Sequence, residues 1–236
     1  MALSDIQCEG ILHNAENFFI DHIIPSHIQG IEKAAHLSSY NYNPFLLRYL
    51  AVSIDGTVNA MSLAKALFYP RVLGTSINTI FGNQLQAFIA NVLPQSNGTI
   101  VDGMDIQFTD AEDGRIKYCQ IKAGPSTINK DDVDTIINHF QKALNLSRQN
   151  KMHLASDDFV LGILYGDTMS ANYQKIKERF PVYTGREFWY HLTGDILFYE
   201  KLCGVFADAA LKADTDGLIK EALSTLAKDI QSFKLL

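Results

Sequence analysis

The sequence predicts a mixed α/β chain, α+β-like in its sheet: about four strands flanked by helices, with helical N- and C-terminal regions. Three observations predict it. Apolar residues recur at helical spacing before residue 95 and again from Arg186 onward. Between these stretches, runs rich in Ile, Val, Phe, Tyr and Cys read as strands on either side of an acidic turn ending in glycine, Asp110 to Gly114. The elements then come as helices, hairpin, helix, strand, strand, helices, which is not the regular βαβ alternation of a doubly wound nucleotide-binding fold.

Each element has its own signal. Residues 5–36 place Ile11, Leu12, Ala15, Phe18 and Phe19 at helical spacing, with Pro25 interrupting. Asn43-Pro44 starts a short helix, since proline suits the first helical turn. Residues 58–68 read as a third helix. A longer one over 76–93 follows Gly74-Thr75-Ser76 and is stopped by Pro94; its stripe is Ile77, Ile80, Phe81, Leu85, Phe88, Ile89 and Val92. Gln84 falls inside that stripe, midway between Ile80 and Phe88. Residues 99–109 and 115–123 favour strand, and Asp113-Gly114 between them signals a hairpin. Helix returns over 130–150, where Asn129 and Asp132 form a variant capping box. Phe159–Tyr165 is a third strand and 180–184 a short fourth.

Composition narrows the function classes. The chain has 236 residues, 47% hydrophobic and 19% charged, which excludes a disordered or collagen-like protein and leaves apolar material for a real core. A single domain over 1–236 is expected, with a helical N-terminal part (1–95), a core (96–185) and a helical C-terminal part (186–236). Lys and Arg total 20 against 26 Asp and Glu, a formal charge of -6, which excludes a bulk basic surface as the means of holding nucleic acid but not a local basic cleft. Cys8, Cys119 and Cys203 are widely separated and show no zinc-site spacing, so a reduced, cytoplasmic protein is expected. No signal-peptide pattern is visible, and no apolar run approaches the ~20 residues that span a bilayer, so no membrane partner is expected. The seven histidines form no HExxH pair, and GxxxxGK[ST] and GxGxxG are absent, which leaves ATP and dinucleotide use unsupported.

The predicted hairpin carries the chemistry. Residues two apart on a strand share a face, so Gln120 and Lys122 point the same way. With a two-residue loop, paired residue numbers sum to 225 or 227, and Asp105 lies opposite Gln120 or Lys122, on their face in either case. Ile106, Phe108, Cys119 and Ile121 then face the core. A carboxylate and an amide oxygen can hold Mg²⁺, which prefers oxygen ligands. The metal polarises a phosphoryl oxygen and lowers the pKa of a water. The ammonium of Lys122 can orient that water and offset developing charge, giving in-line hydrolysis of a phosphodiester.

The order Asp105, hairpin turn, Gln120-Ile121-Lys122 resembles the PD-(D/E)XK nuclease signature. Tyr69 to Ser76, Gln120 to Asn129 and Gly185 to Gly194 are similar to segments of type II restriction endonucleases of that superfamily, and the resemblance spans roughly residues 40–200. It implies a restriction-endonuclease-like core of about four strands, with 96–185 as the catalytic core, and Mg²⁺-dependent, sequence-specific cleavage of double-stranded DNA by a homodimer. Asp105 would be the metal ligand, Gln120 the second ligand or its partner, and Lys122 the catalytic lysine. Many family members carry a Glu on the helix before the hairpin, and Gln84 stands at the matching place. Gln120 departs from the usual Asp or Glu, as it does in some related nucleases, and Asp102 competes with Asp105 as ligand.

Other readings stay open at this point. Gln84 is equally a core amide satisfied by backbone groups. Arg71, Ser126, Thr127, Asn129 and Lys130 are candidates for DNA contact, against a helix-end arginine, a loop with an N-cap at Asn129 and a solvated first turn. His191 is read as a structural histidine with no catalytic role. The rival functions are a nuclease-fold protein that binds DNA with little or no cutting, and a soluble α/β protein unrelated to DNA.

Overall fold

The computed structural model describes residues 3–93, 103–151, 153–213 and 215–233. Helices α1 (Asp5–Phe18), α2 (Ile24–Ala34), α3 (Pro44–Asp55), α4 (Ala60–Tyr69), α5 (Ile77–Asn83) and α6 (Leu85–Val92) precede strands β1 (Ile106–Thr109) and β2 (Ile116–Lys122). Then come α7 (Lys130–Gln149), β3 (Phe159–Ile163), α8 (Ala171–Lys177), β4 (Val182–Thr184), α9 (Arg186–Thr193), α10 (Phe198–Ala213) and α11 (Thr215–Ser232). Where the sequence suggests one domain, the chain's contacts group into two compact units: Met1–Asn17 with Leu85–Phe206, and Phe18–Gln84 with Ala207–Leu236.

The first unit holds a mixed four-stranded sheet in the order β1-β2-β3-β4, flanked by helices. β1 and β2 pair antiparallel; β2 with β3 and β3 with β4 pair parallel. Parallel neighbours need a crossover, and α7 and α8 supply the two. Both helices lie on one face, in a single apolar cluster with the strands: Phe140 of α7 and Tyr173 of α8 meet Tyr118, Phe159 and Leu161. α9 covers the other face, where the Phe188 ring meets Phe108 edge-on at 6.4 Å and a Cβ on Gly162 would strike it. With a helix on each face, all five residues of β3 are buried.

The chain thus runs β2-α7-β3-α8-β4, two crossover units with their helices on the same side, and α8 is an element that the sequence pattern did not reveal. Its seven residues bury only Tyr173 and Ile176, too few to establish a helical period. The long helix expected over 76–93 is also different: a π-helical stretch over Pro70–Ser76 runs into α5, and the chain breaks at Gln84 before α6. Pro25 sits at the first turn of α2, after one π-helical stretch, Phe19–Ile23. Residues 99–102 of the expected first strand lie outside the described residues, as does Pro94.

The second unit is helical. Ile31 of α2, Leu63 and Phe68 of α4 and Leu226 and Ile230 of α11 form its core. Asn43 caps α3, its side chain accepting from the Phe45 and Leu46 N–H groups, with Pro44 in the first turn.

α7 begins as its sequence dictates. The Asn129 side chain accepts from the Asp131 and Asp132 N–H groups, and the Asp132 carboxylate accepts from the Asn129 N–H. Both acceptor directions of the Asn129 oxygen are used inside the fold. Asn129→Ala should therefore lower stability by about 1 kcal/mol in urea unfolding.

Candidate active site

The β1–β2 turn is wider than a two-residue loop. The Asp110 N–H donates to the Arg115 carbonyl (2.9 Å) and the Gly114 N–H returns to the Asp110 carbonyl (3.0 Å), which leaves four residues in the loop. Gly114 has φ +70°, the left-handed conformation that glycine adopts without strain. The register is nevertheless one of the two read from the sequence: Ile106 pairs with Cys119 and Thr109 with Ile116, so paired numbers sum to 225 within the strands, and Asp105 lies one residue before β1. Ile106, Phe108, Cys119 and Ile121 are buried. Gln120 and Lys122 are half-buried on the opposite face, the one that Tyr118 shares with α7.

Asp105 is held at both oxygens. Its N–H donates to the carbonyl of Cys119 (2.9 Å), the residue that pairs with Ile106, so the chain departs from the regular ladder just before β1. Its Oδ2 accepts from the Ile121 N–H at 2.6 Å, so the side chain substitutes for a strand carbonyl where β1 has not yet begun. Its Oδ1 accepts from Nε2 of Gln86 on α6, at 3.3 Å. On β2, Oε1 of Gln120 is buried and has no hydrogen-bond partner among the described residues. Lys122 forms no ion pair with a carboxylate among the described residues.

This donor set fits a hard divalent cation. A buried amide oxygen left unpaired costs about 1–3 kcal/mol, which coordination would offset. Asp105 brings a carboxylate and Gln120 a neutral oxygen, the ligand types that Mg²⁺ takes beside water and phosphate oxygens. Among the described residues no group of three or more His, Cys, Asp or Glu gathers to hold a metal.

The helix-borne amide at the carboxylate is Gln86, not Gln84. Gln84 is the C-cap of α5, with φ −91° and ψ 2°. The break there ends the single helical period that placed it on an inward face. Asp102 lies outside the described residues. Ser126 and Lys130 are exposed. The Thr127 hydroxyl donates to the Gly124 carbonyl (2.9 Å) and lies 3.0 Å from the Tyr173 hydroxyl. Arg71 belongs to the helical unit, where it donates to the Ser39 carbonyl and lies over the Tyr40 ring at 4.9 Å.

A second polar cluster, unforeseen in the sequence, sits at the turn end of the hairpin on the α9 face. Asp110 is 1% exposed and Lys117 equally buried. Asp110 faces His191 Nδ1 (2.8 Å), accepts from the Glu112 N–H (2.8 Å) and lies 3.9 Å from the Lys117 ammonium. Lys117 also donates to Asp113 (2.5 Å) and the Asp157 carbonyl (3.2 Å). The Tyr183 ring stacks on His191 at 3.8 Å. Burial pushes the Asp110 carboxyl up, but the hydrogen bonds from His191 and the Glu112 N–H, with the Lys117 charge, outweigh it and hold the group below the ordinary carboxylate value. His191 is buried against this carboxylate, with Nδ1 within 2.9 Å of both Asp110 oxygens.

A mixed four-stranded sheet flanked by helices is consistent with a restriction-endonuclease-like fold. The chain belongs to the type II restriction endonuclease EcoO109I family, whose family model matches residues 14–214 and so takes in the whole sheet. No curated protein matches it. No helix among the described residues is long and apolar enough to cross a membrane.

Proposed function

We propose that this protein is a sequence-specific, Mg²⁺-dependent endonuclease that hydrolyses phosphodiester bonds of double-stranded DNA, with a PD-(D/E)XK site on the β1–β2 hairpin. The observation that carries the reading is the orphaned Gln120 oxygen next to Ile121, whose N–H locks the Asp105 carboxylate. Asp105 and Gln120 would hold the metal, and Gln86 takes the part first given to Gln84, orienting the Asp105 carboxylate. Mg²⁺, when bound, supplies Lewis acidity at a phosphoryl oxygen and a lowered pKa for water. The Ile121 N–H keeps the Asp105 carboxylate from rotating away. The Lys122 ammonium orients the attacking water and balances charge as its oxygen bonds phosphorus and the bond to the leaving sugar oxygen breaks. The incoming water gives up a proton and the leaving oxygen gains one.

Ser126 and Lys130, exposed just past Lys122, are the residues we assign to the DNA backbone. Thr127, Asn129 and Arg71 serve the fold through the contacts described above. Cutting two strands calls for two sites and hence a twofold dimer. α3 offers an apolar surface for it in exposed Phe45, Leu46 and Tyr49. The three free thiols suit a protein working in a reducing cytoplasm. The neutral amide at Gln120 favours one rival, a nuclease fold that binds DNA without cutting.

Plasmid DNA incubated with the protein should give discrete fragments with Mg²⁺ and none with EDTA, from a particle of twice the 26.4 kDa chain mass in sedimentation. A gel shift without fragments would favour the rival, and neither result leaves no DNA role.

A further inference from the structure

We propose that the pocket at the C-terminal end of α7 binds the DNA backbone away from the cut, with Arg148, Lys151 and His153 holding a phosphate of the flanking duplex; this rests on reading double-stranded DNA as the substrate. The three side chains line an open surface pocket of about 530 Å³ together with Leu154 and Ala155. All three are exposed, and none forms an ion pair or a side-chain hydrogen bond among the described residues. The local backbone gathers them. α7 ends at its C-cap Asn150, and Lys151 follows with φ +59°, a left-handed conformation that side chains seldom adopt. The Lys151 N–H donates to the Arg148 carbonyl (3.2 Å), which folds the chain back over the last turn.

No acid lines this pocket, in a chain whose formal charge is -6. From Thr135 to Ser156 the sequence holds Lys142, Arg148 and Lys151 and no Asp or Glu. Asp158, the buried acid just beyond, is occupied inside the fold: its Oδ2 accepts from the Ala155 N–H (2.8 Å) and from Arg115 Nη2 (2.6 Å). Asp157 is exposed but lies outside the lining. Cations without counter-ions suit a phosphate backbone, which arginine grips through its fork and lysine as a point charge. The place in the fold says which phosphate. α7 packs on the sheet face that carries Gln120 and Lys122, and it returns the chain to the start of β3, where Phe159 pairs with Tyr118. Lys122 pairs with Ile163, four residues or about 13 Å further along β3. That spans about four phosphates of one B-form strand, at about 3.4 Å of axis each. The pocket therefore serves the flank and not the scissile group.

Arg148→Gln combined with Lys151→Gln removes both fixed charges. On a duplex extending about ten base pairs past a mapped cut, in EDTA, the logarithmic salt slope of binding should become shallower by about two, and by about one in each single variant. On a duplex ending about three base pairs from the cut on both sides, variant and wild type should bind alike at about 0.15 M salt, where charges more than about 8 Å away are screened. Arg148→Lys combined with Lys151→Arg keeps both charges and should keep the slope. A role confined to the helix C-terminus would instead lower the urea midpoint of the Gln variants and leave their slope unchanged. An unchanged slope in the Gln variants, or an equal loss on short and long duplexes, would overturn the inference. A wild type that binds without cutting sinks the nuclease reading alone, and the slopes on a long duplex still decide the pocket. A wild type that binds no duplex overturns both.

Discussion

Lys122→Ala should cut DNA about 10³-fold more slowly than the wild type while binding it nearly as well. Lys122 stands on the face of β2 that carries Gln120, with no carboxylate partner among the described residues, so it is not spent on the fold. Its removal leaves no buried acid uncompensated, and the urea midpoint should move little. Single-turnover cleavage of a mapped duplex and a gel shift in EDTA separate the two effects. Full cleavage by the alanine variant would remove the catalytic assignment, and a loss of binding equal to the loss of rate would make Lys122 a phosphate anchor. The expected split follows from position: one ammonium contributes a single phosphate contact to affinity, whereas it meets the attacking water where charge develops.

The pairing of this hairpin was legible because strand geometry is local. A period of two puts Gln120 and Lys122 on one face of β2 whatever the turn length, and the register that formed is one of the two expected. Helix faces are less forgiving. One residue is about 100° of helix rotation, so the break at Gln84 was enough to hand the Asp105 contact to Gln86, about 200° away on a continuous helix. The apolar residues continue on both sides of that break, and nothing in their spacing marks it. α8 escaped because seven residues carry too little periodicity. The Asp110 cluster escaped for a different reason: its acid sits in a turn of charged residues, where solvation is the ordinary outcome, and the histidine that buries it lies 81 residues away.

That cluster makes the second large prediction. Asp110→Ala should destabilise the protein by about 3–5 kcal/mol, because it leaves the buried Lys117 charge with Asp113 alone as its carboxylate partner. Such a loss is a large part of the roughly 5–15 kcal/mol that holds a domain folded. Asp110→Asn keeps the volume and an acceptor for the Glu112 N–H, and should cost less. The two variants also separate in pH. The folded carboxyl lies below its ordinary value, so its contribution is complete above the unfolded value of about 3.9 and disappears as pH falls through the folded one. Urea midpoints at pH 6 and pH 3 should therefore differ less in the Asn variant than in the wild type. The acid limb is reduced, not abolished: burial raises the Asp113 carboxyl but its bonds from Lys117 and the Arg115 N–H outweigh that, so Asp113 too is held low. An Asn variant with the wild-type pH dependence would show that the charge of Asp110 does not stabilise the turn. The cluster clamps the closed end of the same hairpin whose open end carries Asp105 and Lys122, about 17 Å away at five strand residues. Cleavage by the folded Asn variant should thus stay near wild type at pH 7, which distinguishes a turn clamp from a catalytic pair.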